Sequence, residues 1–356
     1  MTGPRITLGS RTLTRESPPY VIAEIGVNHE GSIDTAKMLI ELAKEGGADA
    51  AKFQTYKAET LASKHSPAYW DTTKEPTQSQ YELFQKYDAF GPREYEILAE
   101  HCARVGIDFA STPFDDAAVD FLAPLMSFFK VASADLTNTP LLRRVARTGK
   151  PVVLSTGAST MEEVDWAVRT LQEAGARDIA LLHCILNYPT SNENANLRML
   201  RDLGRKFSRC LLGYSDHTVP TPRLNTLLAA WLSGAVILEK HFTHDKSLPG
   251  NDHYHAMDVN ELREFTQLVR EIAPLLGVTD RKEPLESEQI SRLNARRSIV
   301  VARDLPTGHV IAESDITYKR PGTGVSPMYW DDVVGLTTRH ALEADHVLQW
   351  DDVADR

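Results

Sequence analysis

A chain of 356 residues, 42% hydrophobic and 25% charged, has ordinary globular proportions. These exclude a fibrous or extensively disordered protein and leave room for one large domain with an appendage, or two comparable domains. The formal net charge of −10 argues against a nucleic-acid-binding protein, whose affinity comes from clustered Lys and Arg.

In chain order, a hairpin turn is predicted at Gly9 and Ser10. From there to about residue 276, short β-like runs alternate with helical patterns, which predicts a parallel sheet. The runs are Tyr20 to Ala23, Ala50 to Phe53, Asp108 to Ala110, Phe128 to Ala132, Pro151 to Leu154, Ile179 to Leu182, Leu211 to Tyr214 and Val236 to Leu238, eight in all. Helical periodicity puts Ala36, Leu39, Ile40 and Ala43 on one face. Met161, Val164, Val168 and Leu171 share another, preceded by Ser159 and Glu162 at capping-box spacing. Leu224, Leu227, Leu228, Trp231 and Leu232 form a third stripe, and Val259, Leu262, Phe265, Val269 and Ile272 the last. Eight strand-helix units fit an α/β fold of the (β/α)8 TIM barrel type better than an open doubly wound sheet. The long insertion between Gln54 and Gly91, aromatic and polar without a clear period, is expected to fold over one barrel mouth.

Residues 277–294 turn charged, as in RKEPLESEQISR, and read as a linker, partly helical. Short apolar runs and the turn signals PTG and RPGTG make 295–356 a compact β-rich module, leaving 1–276 as the barrel with its N-terminal hairpin. Cys102, Cys184 and Cys210 lie far apart with no CxxC spacing, which fits a reducing compartment and a cytoplasmic location. The start of the chain has no signal-peptide-like apolar run, and the stretch Leu227 to Leu238 is interrupted by Ser233 and Gly234, so no membrane partner is expected.

Barrels of this type carry their chemistry at the C-terminal ends of the strands. There the chain places Glu24; Lys52 and Gln54; Ser111 and Thr112; Lys130 and Ser133; Ser155; Asn187 and Tyr188; Ser215, Asp216 and His217; and Glu239, Lys240 and His241. Any one of these is explained by loop solvation. Two lysines, Lys52 and Lys130, converging with several hydroxyls supply the charge and donors that a phosphate requires, so a phosphorylated substrate is expected. His217 and His241 end adjacent strands and read either as two ligands of a divalent metal or as hydrogen-bonded core histidines. Two further patterns, His241 with His244 and the group Asp252, His253 and His255, have spacings common by chance; the loop LPGNDHYHAMD reads as a polar substrate cover rather than a structural zinc site. The glycines of EIGVNHEG and LSTGAST match neither GxGxxG nor GxxxxGK[ST], so no nucleotide signature is present.

The segments AEIGVNHEG, AAKFQTYKAE, ASTPFD, FKVASAD, LSTGAS, LHCILNYPT, GYSDHT and LEKHFT, in this order on successive strands, resemble the bacterial sialic acid synthase family. The tail, RRSIVVARDLPTGHVI then KRPGTGVSPMYWDDVVG, resembles the antifreeze-like (SAF) domain that ends those enzymes, and the resemblance runs from about residue 18 to 356. It implies a barrel that binds phosphoenolpyruvate and a divalent metal (Mn2+ favoured, Mg2+ or Co2+ as alternatives), in a homodimer whose SAF modules are exchanged.

Carried over by motif, His217 and His241 become the metal ligands and, with Glu24 and Lys52, the catalytic group. Lys52, Ser111 or Thr112, Lys130, Ser133, Ser155, Asn187 and Ser215 become the phosphoenolpyruvate contacts. Gln54, Asp135, Tyr188, Glu239, Asp252, His253 and Arg320 become the sugar contacts. Two departures stand out: Leu186, with Asn187 displaced by one, occupies the place of a small polar residue, and GNDHYHAMD replaces a GPDH loop, so that His255 and Met257 do not match. The resemblance implies condensation of phosphoenolpyruvate with an open-chain N-acyl hexosamine such as N-acetylmannosamine, giving a sialic-type acid and phosphate. The loop departure keeps open an aldose leading to a legionaminic, pseudaminic or deaminated acid. A metal-dependent hydrolase would leave Lys52 and Lys130 without a role, and a non-catalytic sugar binder would have no use for the reactive set.

Overall fold

The computed structural model describes residues 3–70, 72–73, 75–250, 252–277 and 281–354. A hairpin of β1 (Ile6–Leu8) and β2 (Arg11–Leu13) precedes eight parallel strands: β3 (Tyr20–Gly26), β4 (Ala50–Thr55), β5 (Asp108–Pro113), β6 (Phe129–Val131), β7 (Val152–Ser155), β8 (Ile179–Cys184), β9 (Leu211–Asp216) and β10 (Ala235–His241). Their hydrogen-bonded order is β5-β4-β3-β10-β9-β8-β7-β6, and β6 lies back against β5 to close a (β/α)8 barrel.

The helices are α1 (Ile33–Gly46), α2 (Ala58–Leu61), α3 (Gln80–Tyr87), α4 (Pro92–Val105), α5 (Asp116–Leu122), α6 (Thr139–Arg147), α7 (Met161–Glu173), α8 (Met199–Lys206), α9 (Asn225–Leu232) and α10 (Val259–Leu276). The predicted stripe on α1 is buried in full, and Ser32 caps the helix by accepting from the Thr35 amide at 3.2 Å. On α7 the capping box sits one residue later than predicted. Thr160 accepts from the Glu163 amide at 3.3 Å while Glu163 accepts from the Thr160 amide at 2.7 Å, and Ser159 instead donates to the Gly157 carbonyl. Leu232, counted on the apolar face of α9, is exposed at its last turn.

Strand side chains alternate between the barrel interior and the helix layer. Tyr20, Ile22, Ala50, Ala110, Phe128, Val153, Ala180, Leu182, Leu211 and Ile237 point inward. They form one buried cluster with Ile6, Leu8 and Leu13 of the hairpin, which fills the N-terminal end of the barrel. The hairpin turns at Gly9, whose φ of +55° and closeness to the Asp108 carboxylate admit no side chain. Outward neighbours such as Val21, Ala51, Phe53, Phe109 and Leu154 pack with α1, α4, α5 and α7 in the larger cluster.

The chain divides into two compact units, Met1–Val278 and Thr279–Arg356. In the second, α11 (Gln289–Ala295) lies within exposed residues 281–297. Next come antiparallel β11 (Ser298–Val301) and β12 (Ile316–Lys319), then β13 (Thr337–Thr338) and β14 (Val353–Ala354), around a core that includes Ile299, Val301, Ile311, Val333 and Leu348. An internal repeat runs through this unit: Leu305, His309 and Asp315 recur as Leu342, His346 and Asp352. Each aspartate accepts from its histidine, at 2.6 Å and 2.8 Å respectively, and from a backbone amide. Among the described residues no helix is long and apolar enough to cross a membrane.

Candidate active site at the C-terminal mouth of the barrel

Two residues beyond the apolar layer, the inward positions become polar. Glu24 follows Ile22, Lys52 follows Ala50, Thr112 follows Ala110, Lys130 follows Phe128, Ser155 follows Val153, Cys184 follows Leu182, Ser215 follows Gly213 and Glu239 follows Ile237. All eight line a cavity of roughly 390 Å³, within the range of small-molecule sites. Two residues further along, Gln54 on β4, His241 at the end of β10 and His217 just past the end of β9 line it one layer higher.

The same alternation removes three residues from the mouth. Ser111 faces the helix layer, where its hydroxyl lies 2.7 Å from that of Thr55, so Thr112 rather than Ser111 faces the cavity. Asp216 and Lys240 also point outward and pair with each other at 2.8 Å. Asn187 is exposed and off the cavity wall, which Leu186 lines in its place. Ser133, Asp135, Tyr188, Asp252 and His253 do line the cavity. Arg320 is an exposed residue next to β12 in the second unit.

The floor is a buried charge network. Lys52 pairs with Glu24 and donates to Thr112 at 3.2 Å. Glu239 stands between the lysines, with carboxylate oxygens 3.8 Å from Lys52 Nζ and 3.4 Å from Lys130 Nζ, and accepts from Ser215 at 2.9 Å. Gln54 donates to Glu24 at 2.9 Å. Burial pushes the Glu24 carboxyl up to about 7, although Lys52 opposes the shift. Burial also acts against Glu239, but Lys130 and Lys52 outweigh it and hold that carboxyl at about 2. Two carboxylates in one site are thus driven apart, one poised to exchange protons near neutrality and one fixed as an anion. Burial lowers Lys130 despite Glu239, whereas for Lys52 the two carboxylates outweigh burial and raise it. Ser155 Oγ and Glu239 Oε2 are buried without a hydrogen-bond partner among the described residues.

The opposite wall comes from the insertion after β4, which carries α2 and α3 and lays Tyr56, Leu61, Tyr69, Trp70, Phe84 and Tyr87 against the cavity. The expected mouth-covering role of this segment is met by an aromatic surface. Its sequence shows no period because its side chains pack on a cavity rather than on one helix face.

The donors required by a divalent ion are present. His217 Nδ1 donates to the Ile185 carbonyl at 2.8 Å, which in the neutral ring leaves the lone pair on Nε2. The His217 ring lies 5.6 Å from that of His241, centroid to centroid, and 4.2 Å from Tyr188. Burial, reinforced by His217, holds His241 well below the ordinary imidazole range, so it stays neutral as a ligand must. The structure also crosses the two histidine patterns of the sequence. One ligand atom each from His241, Asp252 and His255 lie within 4.8 Å of one another, while His244 is exposed and His253 is held by Thr243 Oγ1 at 2.8 Å. Two imidazoles and a carboxylate fit a divalent transition metal. The sequence offers His255 in a chance-spaced group with Asp252 and His253 and as a mismatch in a loop, but not as a partner of His241, because a contact with His241 across that loop has no local periodicity.

The chain thus carries a lysine floor at the C-terminal mouth of an eight-stranded barrel in its first unit and a small β module as its second. The chain belongs to the NeuB family, the sialic acid synthase family: the NeuB family model matches residues 39–281 and the SAF domain model residues 296–354. It is 38% identical to an N,N'-diacetyllegionaminic acid synthase of Legionella pneumophila, over 94% of each chain. It is 33% identical to a pseudaminic acid synthase of Helicobacter pylori, over 94% of this chain and 98% of that one. A crystal structure of N-acetylneuraminic acid (sialic acid) synthetase from Leptospira borgpetersenii in complex with citrate superimposes with a TM-score of 0.72 at 32% identity, covering 81% of this chain and 95% of the other.

Proposed function

We propose that the protein condenses phosphoenolpyruvate with the aldehyde of an open-chain N-acylated amino sugar, giving a nonulosonic acid and inorganic phosphate. The observation that carries this reading is the buried floor of Lys52, Lys130, Thr112, Ser155 and Ser215, an anion cradle, set beside Glu24 with its carboxyl at about 7. The lysines and hydroxyls hold the phosphate and carboxylate of phosphoenolpyruvate. Carbon C3 attacks the aldehyde carbon, the new C–C bond forms, and the carbonyl electron pair moves to oxygen, which takes up a proton. Water adds at the electron-poor C2 and gives one proton to Glu24; the C–O bond to phosphate then breaks, the remaining hydroxyl proton passes to the departing phosphate, and a 2-oxo acid is left. Glu239, fixed as an anion, keeps both lysines oriented. A divalent ion, held by His241 with His217 or with the loop residues Asp252 and His255, supplies Lewis-acid polarisation of the aldehyde oxygen when bound.

The aromatic wall of Tyr69, Trp70, Phe84 and Tyr87 suits an acceptor with methyl-bearing substituents, such as N-acetyl or deoxy positions, which gain by apolar burial. This favours a diacylated, deoxygenated aldose over plain N-acetylmannosamine, in keeping with the relatives named for legionaminic and pseudaminic acids. Incubating the purified protein with phosphoenolpyruvate and a panel of hexoses, N-acetylmannosamine and 2,4-diacetamido-trideoxy hexoses, with phosphate release and product mass as readouts, tests both levels. Phosphate release dependent on an aldose supports the reaction, and its absence with every aldose in metal-supplied buffer refutes it.

A further inference from the structure

We propose that His255, with His241 and Asp252, forms a three-donor site for a first-row transition-metal dication, so that the ion rests on two imidazoles and one carboxylate rather than on the His217–His241 pair alone. His255 is fully buried, yet neither ring nitrogen has a hydrogen-bond partner among the described residues. A core histidine is ordinarily satisfied by at least one bond, so an imidazole with two idle nitrogens points to a ligand role. His241 Nδ1 is likewise buried without a hydrogen-bond partner among the described residues, 3.5 Å from Asp252 Oδ2. That separation is too long for a hydrogen bond and close to the spacing of two donors sharing one ion at roughly 2.1 Å from each. The His241 and His255 rings lie 4.9 Å apart, centroid to centroid.

The backbone explains the convergence. After β10 the chain loops out and returns beside its own strand tip, where the Met257 amide donates to the His241 carbonyl at 2.8 Å and the Thr243 amide to the Met257 carbonyl at 3.0 Å. With residue 257 clamped to the strand and His253 anchored on Thr243, residue 255 is held next to His241. Imidazole-rich sites prefer Mn2+, Co2+ or Zn2+ to Mg2+, which favours oxygen donors and retains its water. His255 therefore acts as a selectivity residue.

The test is a titration of chelator-stripped protein with Co2+, followed by visible absorption, with Mg2+ as competitor. One equivalent is expected to bind, with Mg2+ displacing it only at about a hundredfold excess or more. His255→Ala should weaken Co2+ binding about tenfold or more and alter the absorption bands. His255→Cys should restore binding and add a thiolate-to-cobalt charge-transfer band, a signature that loss of packing cannot produce. Co2+ binding by His255→Ala within about threefold of the parent, or a folded His255→Cys protein without the new band, overturns the proposal. Collapse of binding in His217→Ala with no change in His255→Ala would place the ion on the other pair and overturn it too. Neither phosphoenolpyruvate nor sugar enters the measurement, so its failure and a failure of the substrate reading are separate results.

Discussion

Two buried charge networks sit at the same height of the barrel, one residue apart along β9 and β10, and they differ in how completely they are satisfied. Outside the barrel wall, Asp216 accepts from Tyr214 at 3.0 Å, from the Thr218 amide at 2.9 Å and from its hydroxyl at 3.1 Å, while Lys240 pairs with it and donates to the Thr218 carbonyl at 2.6 Å. Inside the wall, the network of Glu24, Lys52, Lys130 and Glu239 leaves an oxygen of Glu239 and the Ser155 hydroxyl without a hydrogen-bond partner among the described residues and faces a cavity. Burial of charge does not by itself mark a functional site. What marks one is hydrogen-bonding capacity left over and turned toward a space that a substrate fills.

The contrast breaks most visibly at the lysines. Lys130→Met should lower phosphoenolpyruvate turnover by about a thousandfold, as loss of one preorganised charged donor does, with little change in melting temperature; a turnover within tenfold of the parent would remove Lys130 from the anion cradle. Lys240→Met should do the reverse. It strands Asp216 in the helix layer and should cost about 3–5 kcal/mol in denaturant unfolding, most of it recovered in a double variant with Asp216→Leu. A smaller effect distinguishes the two carboxylates inside. With its carboxyl at about 7, Glu24 is ionised above that pH, so as the water-activating base it should give turnover that rises with pH and levels off past about 7. Glu24→Gln should flatten the rise and lower the plateau by about a hundredfold; persistence of the break near 7 would assign it to another group. The smallest effect is at Ser111→Ala, where loss of the bond to Thr55 should cost about 1 kcal/mol and leave the KM for phosphoenolpyruvate unchanged. A raised KM there would return Ser111 to the site.

Much of this was legible in the sequence because strands repeat every two residues and the barrel has a known chemical end. Alternation from Ile22 to Glu24 or from Ala50 to Lys52 is readable by eye, and so is the family resemblance. Read strictly, the same alternation separates Ser111 from Thr112 and Asp216 from Ser215, since adjacent residues on a strand cannot both face the cavity. The capping box on α7 shifted by one residue because Ser159, Thr160, Glu162 and Glu163 offer two overlapping matches and only backbone geometry chooses between them. His255 was not legible as a partner of His241. Their proximity depends on a loop doubling back onto its own strand, which no local spacing encodes. The repeat in the SAF domain is faint in the sequence because only a few anchor residues recur between its two copies.

The hairpin that fills the N-terminal end of the barrel has a kinetic consequence. With that end stoppered by Ile6, Leu8 and Leu13, the described residues leave the C-terminal mouth as the approach to the lysine floor, so on the proposed reading the reactant held on that floor is expected to arrive before the one lodged against the aromatic wall. Traffic of this kind predicts an ordered sequence of arrivals, which product-inhibition patterns would read even before any chemical intermediate is trapped.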